Sequence, residues 1–270
     1  MAAHLASANN SVRLCTLVAD DMPGQMIISF LKGRGLDTSG IRTLALDPKK
    51  PVRTAQYIAI NDQNKDLVIA MADMKILGDA GADFDLDWLP LIKSARPKWV
   101  IIDANWGAST IGKWLKAAKL EGAHVAFEPV SVPKSRFLFP TLRGTGTGAS
   151  MFPKNIYPIH SIDLATPNAA ELAAMHGAAK AHEYFENPDW WKTIDAFGIP
   201  SSGARDRFQA LVGKECVDIG VPQMIVQLLP YIPTIITKLG ADGMSSQLHI
   251  QIINYIHMLN PRRRSSSHHS

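Results

Sequence analysis

Three short apolar runs, each ending in a polar or acidic residue, constrain the fold of this chain more than any other feature. They are residues 99–103, ending at Asp103, residues 123–128, ending at Glu128, and residues 234–237, ending at Thr237. A stretch with helical spacing of apolar residues separates the first two. Alternating strands and helices favour an open, mostly parallel sheet whose ligands bind at the carboxyl ends of the strands. We expect residues 99–103 to form a buried parallel strand that reaches a ligand crevice at its carboxyl end.

Composition excludes several classes of protein. The 270 residues are 46% hydrophobic, which is enough for one or two cores. Lys and Arg number 28 against 24 Asp and Glu, and residues 262–264 supply most of the excess, so nucleic acid is not a predicted partner. No apolar run approaches the roughly 20 residues of a membrane helix, so no membrane association is expected. Two widely spaced cysteines fit a reducing, cytoplasmic compartment.

The first part of the chain predicts a strand, a turn, a helix and then a hairpin. Residues 12–18 form the strand, and the turn at Asp20 and Asp21 with Gly24 leads into a helix over residues 25–32. Residues 54–60 and 66–71 are β-rich and are joined by the polar residues 61–65. Hairpins are unusual in a parallel α/β series, so this one is predicted to stand apart as a flap.

Asn168 and Glu171 lie three residues apart at the predicted start of a helix. This is the spacing of a capping box, in which each side chain satisfies a backbone donor. A helix start also favours anions, so a phosphate or magnesium role is the alternative. The spacing alone favours the cap, and the two roles can coexist.

Other polar residues near strand ends carry the same ambiguity. Glu128 with Lys134, and Asp103 with Asn105, follow predicted strands and could act on a charged ligand, although a surface acid beside a snorkelling lysine is the commoner arrangement. The turn at residues 240–243 has paired glycines but not the spacing of a P-loop or a dinucleotide fingerprint. The nine histidines form no metal-binding motif, and no transition-metal site is predicted.

Taken in order, these segments resemble the PfkB or ribokinase family of carbohydrate kinases, and most closely the pseudouridine kinases. The resemblance lies in six segments in register over about residues 1–245. They are Asp20-Asp21 with Gly24, the hairpin of residues 54–60 and 67–74, Asp103-Ala104-Asn105, Glu128-Pro129-Val130-Ser131 with Lys134, Pro167-Asn168-Ala169-Ala170-Glu171, and Thr237 with Gly240 and Gly243.

The resemblance implies a ribokinase-like open sheet with helices on both faces and a small β-hairpin lid over a sugar or nucleoside. It implies that ATP and Mg²⁺ are used and that the γ-phosphate passes to a sugar hydroxyl. A homodimer through the lid is a further expectation of this kind. The implied site residues are Asn168 and Glu171 for magnesium and phosphate, Thr237, Gly240, Gly243 and Lys134 for the nucleotide, and Thr54, Gln56, Tyr57, Asp73, Asp103, Asn105 and Glu128 for the substrate.

The sequence departs from the family pattern at both ends. A first strand carrying a substrate-binding acid and a Gly-Gly…Asn segment is not found, and residues 244–270 contain no Gly-Ala-Gly-Asp helix start with its anion hole and general base. We therefore expect a partial kinase domain over residues 1–247, with the lid at about 50–77, an insertion at about 178–222 and a divergent tail over 248–270. The chain is expected to be inactive in phosphoryl transfer. The alternatives are a nucleotide-binding pseudokinase and a fragment of a fused pseudouridine-5′-phosphate glycosidase and kinase.

Overall fold

The computed structural model of the chain describes residues 11–46, 49, 52–65, 67–79, 83–140, 162–200, 202–239 and 244–245. The chain divides into two compact units. The first comprises Met1–Arg96 and Asn105–Thr110, and the second comprises Pro97–Ala104 and Ile111–Ser270. The predicted tail, residues 248–270, lies outside the described residues, and the predicted domain boundaries stay predictions.

The first unit begins with a parallel strand pair and a helix. Strands β1 (Thr16–Ala19) and β2 (Ile41–Leu44) pair in parallel, and helix α1 (Met22–Gly33) lies between them in the chain. Asp21 caps α1, with its Oδ1 accepting from the Gly24 N–H at 2.9 Å. A Cβ on Gly24 would lie 2.2 Å from the Ala19 carbonyl oxygen, so this turn requires glycine. The predicted strand, turn and helix are therefore present.

The predicted hairpin is also present. Strand β3 (Gln56–Asn61) pairs antiparallel with β4 (Leu67–Asp73), and the register places Gln56 opposite Asp73. Every residue of both strands is exposed. The pair thus forms a two-stranded ribbon with no buried face.

Three short helices and a tryptophan pair complete the first unit. The helices are α2 (Lys75–Asp79), α3 (Phe84–Asp87) and α4 (Leu89–Ala95). Trp88, between α3 and α4, is 1% exposed; its indole N–H donates to the Gly40 carbonyl at 2.8 Å, and its ring lies edge-on to Trp106 at 5.3 Å. This buried cluster ties the helices to the chain segment just before β2.

The second unit contains a four-stranded parallel sheet. Its strands are β5 (Trp99–Asp103), β6 (His124–Glu128), β7 (Leu164–Ala165) and β8 (Thr234–Ile235), and they lie side by side in chain order. Helix α5 (Ala108–Leu120) connects β5 to β6. Strands β9 (Thr237–Lys238) and β10 (Met244–Ser245) form a separate antiparallel pair. The predicted parallel α/β arrangement is confirmed.

The other helices of the second unit follow β6 and β7 along the chain. They are α6 (Val132–Ser135), α7 (Ala169–Ala181), α8 (Pro188–Ala196), α9 (Ala204–Val212), α10 (Lys214–Asp218) and α11 (Val221–Leu228), with 3₁₀ turns at Arg136–Leu138 and Tyr184–Glu186. The short helices of the predicted insertion pack on the unit through Trp190, which is 3% exposed and donates its indole N–H to the Gln227 carbonyl. None of the helices in the described ranges is long and apolar enough to cross a membrane.

The expectation that residues 99–103 form a buried strand was wrong. In β5 only Ile102 is buried, whereas Trp99 is 49% exposed and Ile101 is 44% exposed. Among the described strands β5 pairs with β6 alone, so it is an edge strand. An apolar run does not show whether neighbouring elements cover both of its faces.

Candidate functional site

The carboxyl ends of the parallel strands meet at one edge of the second unit's sheet. Asp103 and Glu128 end β5 and β6 and lie opposite each other in the register. After β7 the chain reaches Asn168, which forms an isolated parallel bridge with Lys238, the Lys238 N–H donating to the Pro167 carbonyl at 2.9 Å. The sheet therefore brings together predicted residues that are far apart in the sequence.

Asn168 and Glu171 form a complete capping box at the start of α7. The Asn168 Oδ1 accepts from the Glu171 N–H at 2.8 Å, and the Glu171 Oε2 accepts from the Asn168 N–H at 2.8 Å. Glu171 is 3% exposed. The capping interpretation of this spacing is confirmed, and it fixes both side chains at the carboxyl edge of the sheet.

The Glu128 carboxylate is held by two donors from other strands' ends. Its Oε1 accepts from the Lys238 Nζ at 2.7 Å, and its Oε2 accepts from the Thr166 hydroxyl at 2.5 Å. Lys238 is 110 residues from Glu128 in the sequence. Sequence reasoning missed both donors, and the local sequence holds no signal that would have paired them. We call these three residues the Glu128 clamp.

Thr237 precedes the clamp lysine and is fully buried, with 0% exposure. Its hydroxyl has no hydrogen-bond partner among the described residues. A buried hydroxyl without a partner costs about 1–3 kcal/mol and calls for an explanation, such as a group that binds there. The predicted turn that follows, with Gly240 and Gly243, lies outside the described residues, although β9 and β10 pair antiparallel on either side of it.

Thr54, a predicted substrate contact, is buried and hydrogen bonded within the first unit. Its hydroxyl donates to the Asp21 Oδ1 at 2.5 Å and accepts from the Ala19 N–H at 2.9 Å, and its N–H donates to the Asp21 Oδ2 at 2.9 Å. The residue is 2% exposed. This geometry suits a residue that fixes the start of the hairpin.

Asp21 is the acidic partner in that network. Desolvation acts to raise the pKa of Asp21, but the hydrogen bonds from the Thr54 hydroxyl, the Thr54 N–H and the Gly24 N–H outweigh it and hold the pKa below its ordinary value of 3.8. Asp21 is therefore ionised under ordinary conditions and anchors two backbone segments of the first unit.

The remaining substrate candidates divide between the two units. Gln56, Tyr57 and Asp73 lie on the exposed hairpin, where Tyr57 is 58% exposed. Asn105 is half-buried in the first unit, and Asp103 is exposed at the end of β5 in the second. Lys134 is half-buried on α6. The assigned roles of all these residues stay predictions.

The carboxyl edge offers oxygen donors of the kind that a magnesium-bound nucleotide uses. In the described ranges no group of three or more His, Cys, Asp or Glu side chains could hold a metal ion. Mg²⁺ takes oxygen ligands, usually one or two carboxylates with waters and substrate phosphates. Glu171 uses only one carboxylate oxygen in the capping box, and the Thr237 hydroxyl, which has no partner in the part of the chain that the structure describes, offers a hydrogen bond. The donor set therefore fits the group that the family resemblance implies.

Similar solved structures show the fold class of the chain. No family model matches the sequence. A solved structure named Sa239 superposes with a TM-score of 0.51 at 14% identity, covering 90% of this chain and 60% of that one. Arabidopsis thaliana ribokinase, solved with ribose and ATP, gives a TM-score of 0.49 at 16% identity with the same coverage. The chain has a ribokinase-like α/β fold, as the sequence predicted.

The chain is also similar in sequence to a protein of pseudouridine metabolism. The pseudouridine-metabolizing bifunctional protein of Schizosaccharomyces pombe is 32% identical over 198 residues, which are 72% of this chain and 24% of that protein. The chain thus spans about a quarter of the length of this relative. The resemblance to PfkB or ribokinase-type kinases with a link to pseudouridine is confirmed.

Proposed function

We propose that this chain is the nucleoside- and nucleotide-binding part of an ATP-dependent kinase that acts on pseudouridine or a related ribosyl compound. The observation that carries the proposal is the carboxyl edge of the sheet, where Asp103, Glu128, Asn168 and Thr237 lie and where the Thr237 hydroxyl has no hydrogen-bond partner within the described ranges. Ligands of open α/β sheets bind at this edge. The yeast relative, whose name records pseudouridine metabolism, supports the substrate class.

In this proposal Glu171 and Asn168 hold the magnesium–phosphate group, and Thr237 and Lys134 contact the nucleotide, along with Gly240 and Gly243. ATP supplies the γ-phosphoryl group that passes to a sugar hydroxyl. Such a transfer depends mainly on positioning and charge stabilisation. The Glu171 carboxylate is well positioned because the Asn168 N–H donates to its Oε2 and fixes its orientation.

On the substrate side, the proposal assigns Gln56, Tyr57 and Asp73 of the hairpin to the ribosyl compound, together with Asp103 and Asn105. Thr54 and Glu128 are assigned to the substrate as well, and each also holds its neighbours through hydrogen bonds within its own unit. The exposed side chains of the hairpin would then be covered when a ligand binds.

A binding function without phosphoryl transfer is the second candidate. Among the acids with described hydrogen bonds, Glu128 and Glu171 are both held by donors, an arrangement that suits positioning better than proton abstraction. One assay distinguishes the kinase from the binding protein: the purified chain is incubated with pseudouridine, ATP and Mg²⁺. Phosphorylated product above a blank supports the kinase, and saturable binding without product supports the pseudokinase. A place within a longer bifunctional protein, like the yeast relative, is compatible with either.

The experiment that tests the proposed site uses Glu171→Gln. Gln at this position still forms a capping box, so the fold should survive, but the negative charge is lost. We expect the affinity for a non-hydrolysable ATP analogue in the presence of Mg²⁺ to fall roughly 10- to 100-fold, in line with hydrogen bonds to charged groups worth about 1.5–3 kcal/mol. Titration calorimetry with and without Mg²⁺ measures it.

Lys180→Gln, an exposed change on the same helix, is the matched control and should bind like the parent chain. If the parent chain binds neither the ATP analogue nor pseudouridine, the proposed function fails. If Glu171→Gln binds the magnesium nucleotide as well as the parent does, Glu171 is a cap and has no magnesium role.

The proposal includes a homodimer through the hairpin and a cytoplasmic location. Seven large apolar residues of the hairpin are at least half exposed: Tyr57, Ile58, Ile60, Leu67, Val68, Ile69 and Met71. An exposed apolar surface of this size is typical of a contact with another protein. Sedimentation velocity of the parent chain and of Ile58→Lys tests the dimer. The parent should sediment as a dimer and the variant as a monomer, and a monomeric parent would exclude this part.

A further inference from the structure

A strained turn directly follows the Glu128 clamp. Val130 has a φ of 67°, in the left-handed region, and the Ser131 N–H donates to the Pro129 carbonyl at 2.7 Å, closing a three-residue γ-turn around Val130. Turns of this kind with a positive φ are rare and strained. For a β-branched residue a positive φ is an outlier, because its Cβ substituents crowd the following backbone.

Packing of the Val130 side chain does not offset the strain. Val130 is 39% exposed, so it gains less from burial than a core valine does. The neighbours hold the turn from both sides, since Pro129 is buried and the buried Ser135 donates its N–H to the Ser131 carbonyl at 2.9 Å. Strain that the surroundings maintain without a packing gain is characteristic of functional sites.

The turn sets the direction in which the chain leaves the carboxyl edge. Glu128 before it is fixed by Thr166 and Lys238. After it come Ser131, whose side chain makes no capping hydrogen bond, and the half-buried Lys134 on α6. A change at Val130 would leave the clamp in place and alter the placement of residues 131–134.

We propose that Val130 is a positioning residue, whose strained turn holds Ser131 and Lys134 in place for the phosphate groups of a nucleotide. The inference rests on the proposed function, because it assumes that Lys134 contacts the nucleotide. The hydrogen bonds around the turn maintain its strained conformation and keep these donors in one arrangement, so binding does not have to order them. The occupant is an anionic phosphate of a nucleotide, since Lys134 supplies positive charge.

Val130→Gly tests the inference. Glycine adopts a positive φ without strain but also reaches other conformations, so the turn should become both relaxed and less fixed. We expect the unfolding temperature to rise by roughly 2–4 °C and the affinity for the ATP analogue to fall about tenfold. Val130→Ile keeps the β-branched side chain and should retain the parent affinity. Differential scanning calorimetry and titration calorimetry with the ATP analogue give the two values.

Glu183→Gly is the matched control, because Glu183 also has a positive φ, 63°, and lies in the same unit beyond the end of α7. It should raise the unfolding temperature without changing affinity. If Val130→Gly binds the nucleotide like the parent, or lowers the unfolding temperature, the inference is overturned and the proposed function stands. If the parent chain itself binds no ATP analogue, the inference is overturned, and the proposed function fails with it when pseudouridine is not bound either.

Discussion

The hairpin and the carboxyl edge of the sheet carry most of the predicted site residues, and they are built in opposite ways. Every residue of β3 and β4 is exposed, and their candidate side chains lie in solvent. At the carboxyl edge, Glu171 is 3% exposed and Thr237 is 0% exposed, and Glu128, Asn168 and Glu171 are joined to fixed donors.

The two regions differ in when their side chains lose conformational freedom, either on folding or on ligand binding. Side chains at the carboxyl edge have already lost their freedom when the chain folds, so a ligand there meets a fixed arrangement. Hairpin side chains keep their freedom until something covers them. Substitutions at the edge should therefore change stability and binding together, whereas substitutions on the hairpin should change binding alone.

The largest effect is expected for Glu171→Ala. The change removes one half of the capping box and leaves the partly buried Asn168 N–H without its acceptor, which costs about 2–4 kcal/mol in the free energy of unfolding. Urea denaturation followed by circular dichroism measures it. Asp73→Ala on the exposed hairpin should cost less than about 0.5 kcal/mol. If the two variants lose the same free energy of unfolding, the carboxyl edge and the hairpin do not differ in this respect.

Thr54→Val should have the next largest effect. Valine keeps the shape of the side chain but leaves Asp21 and the Ala19 N–H without the Thr54 hydroxyl, at a cost of about 1–3 kcal/mol. Thr54→Ser keeps the hydroxyl and should recover most of the loss in urea denaturation. If valine is tolerated as well as serine, Thr54 does not anchor the hairpin and its role as a substrate contact gains support.

Acid should weaken the same anchor. Because the pKa of Asp21 in the folded chain lies below its ordinary value of 3.8, ionised Asp21 stabilises the fold above that value, and the stabilisation is lost as the pH falls toward the lowered pKa. The parent chain should be more stable than Asp21→Asn near neutral pH, and the difference should shrink as the pH falls below the ordinary pKa of 3.8 toward the lowered pKa of Asp21. Thermal unfolding across this range measures it, and a constant difference would contradict the assigned hydrogen bonds.

The smallest effect on stability is expected for Tyr57→Ser. Tyr57 is 58% exposed, so its loss should change the free energy of unfolding by less than about 0.5 kcal/mol. Its effect should instead appear as weaker binding of pseudouridine in titration calorimetry. A large loss of stability would contradict this expectation and would mean that Tyr57 also contributes to the dimer contact proposed for the hairpin.

Local spacing predicted the parts of this molecule that depend on local geometry. The capping box was readable because its two residues are three positions apart, and the hairpin was readable because two β-rich runs flank a polar segment. The order of motifs also predicted the fold, since a parallel sheet collects the residues that follow its strands.

Long-range and conformational features were not predictable in this way. Nothing in the sequence pairs Glu128 with Lys238, and rules for β-branched residues argue against a positive φ at Val130. Exposure of β5 was misjudged because an apolar run is compatible with an edge strand as well as a central one. These features depend on what lies beside a residue in the folded chain.

The Glu128 clamp also sets a time order for folding. The capping box can close as soon as residues 168–171 leave the ribosome, because its loop is only three residues long. The clamp requires residue 238 to be synthesised first, because its two ends, Glu128 and Lys238, are 110 residues apart in the sequence. A nascent chain that already contains all three acids of the edge therefore still lacks the contact that joins β6 to β9. Assembly of the edge should be among the last events of folding, when most of the second unit already exists.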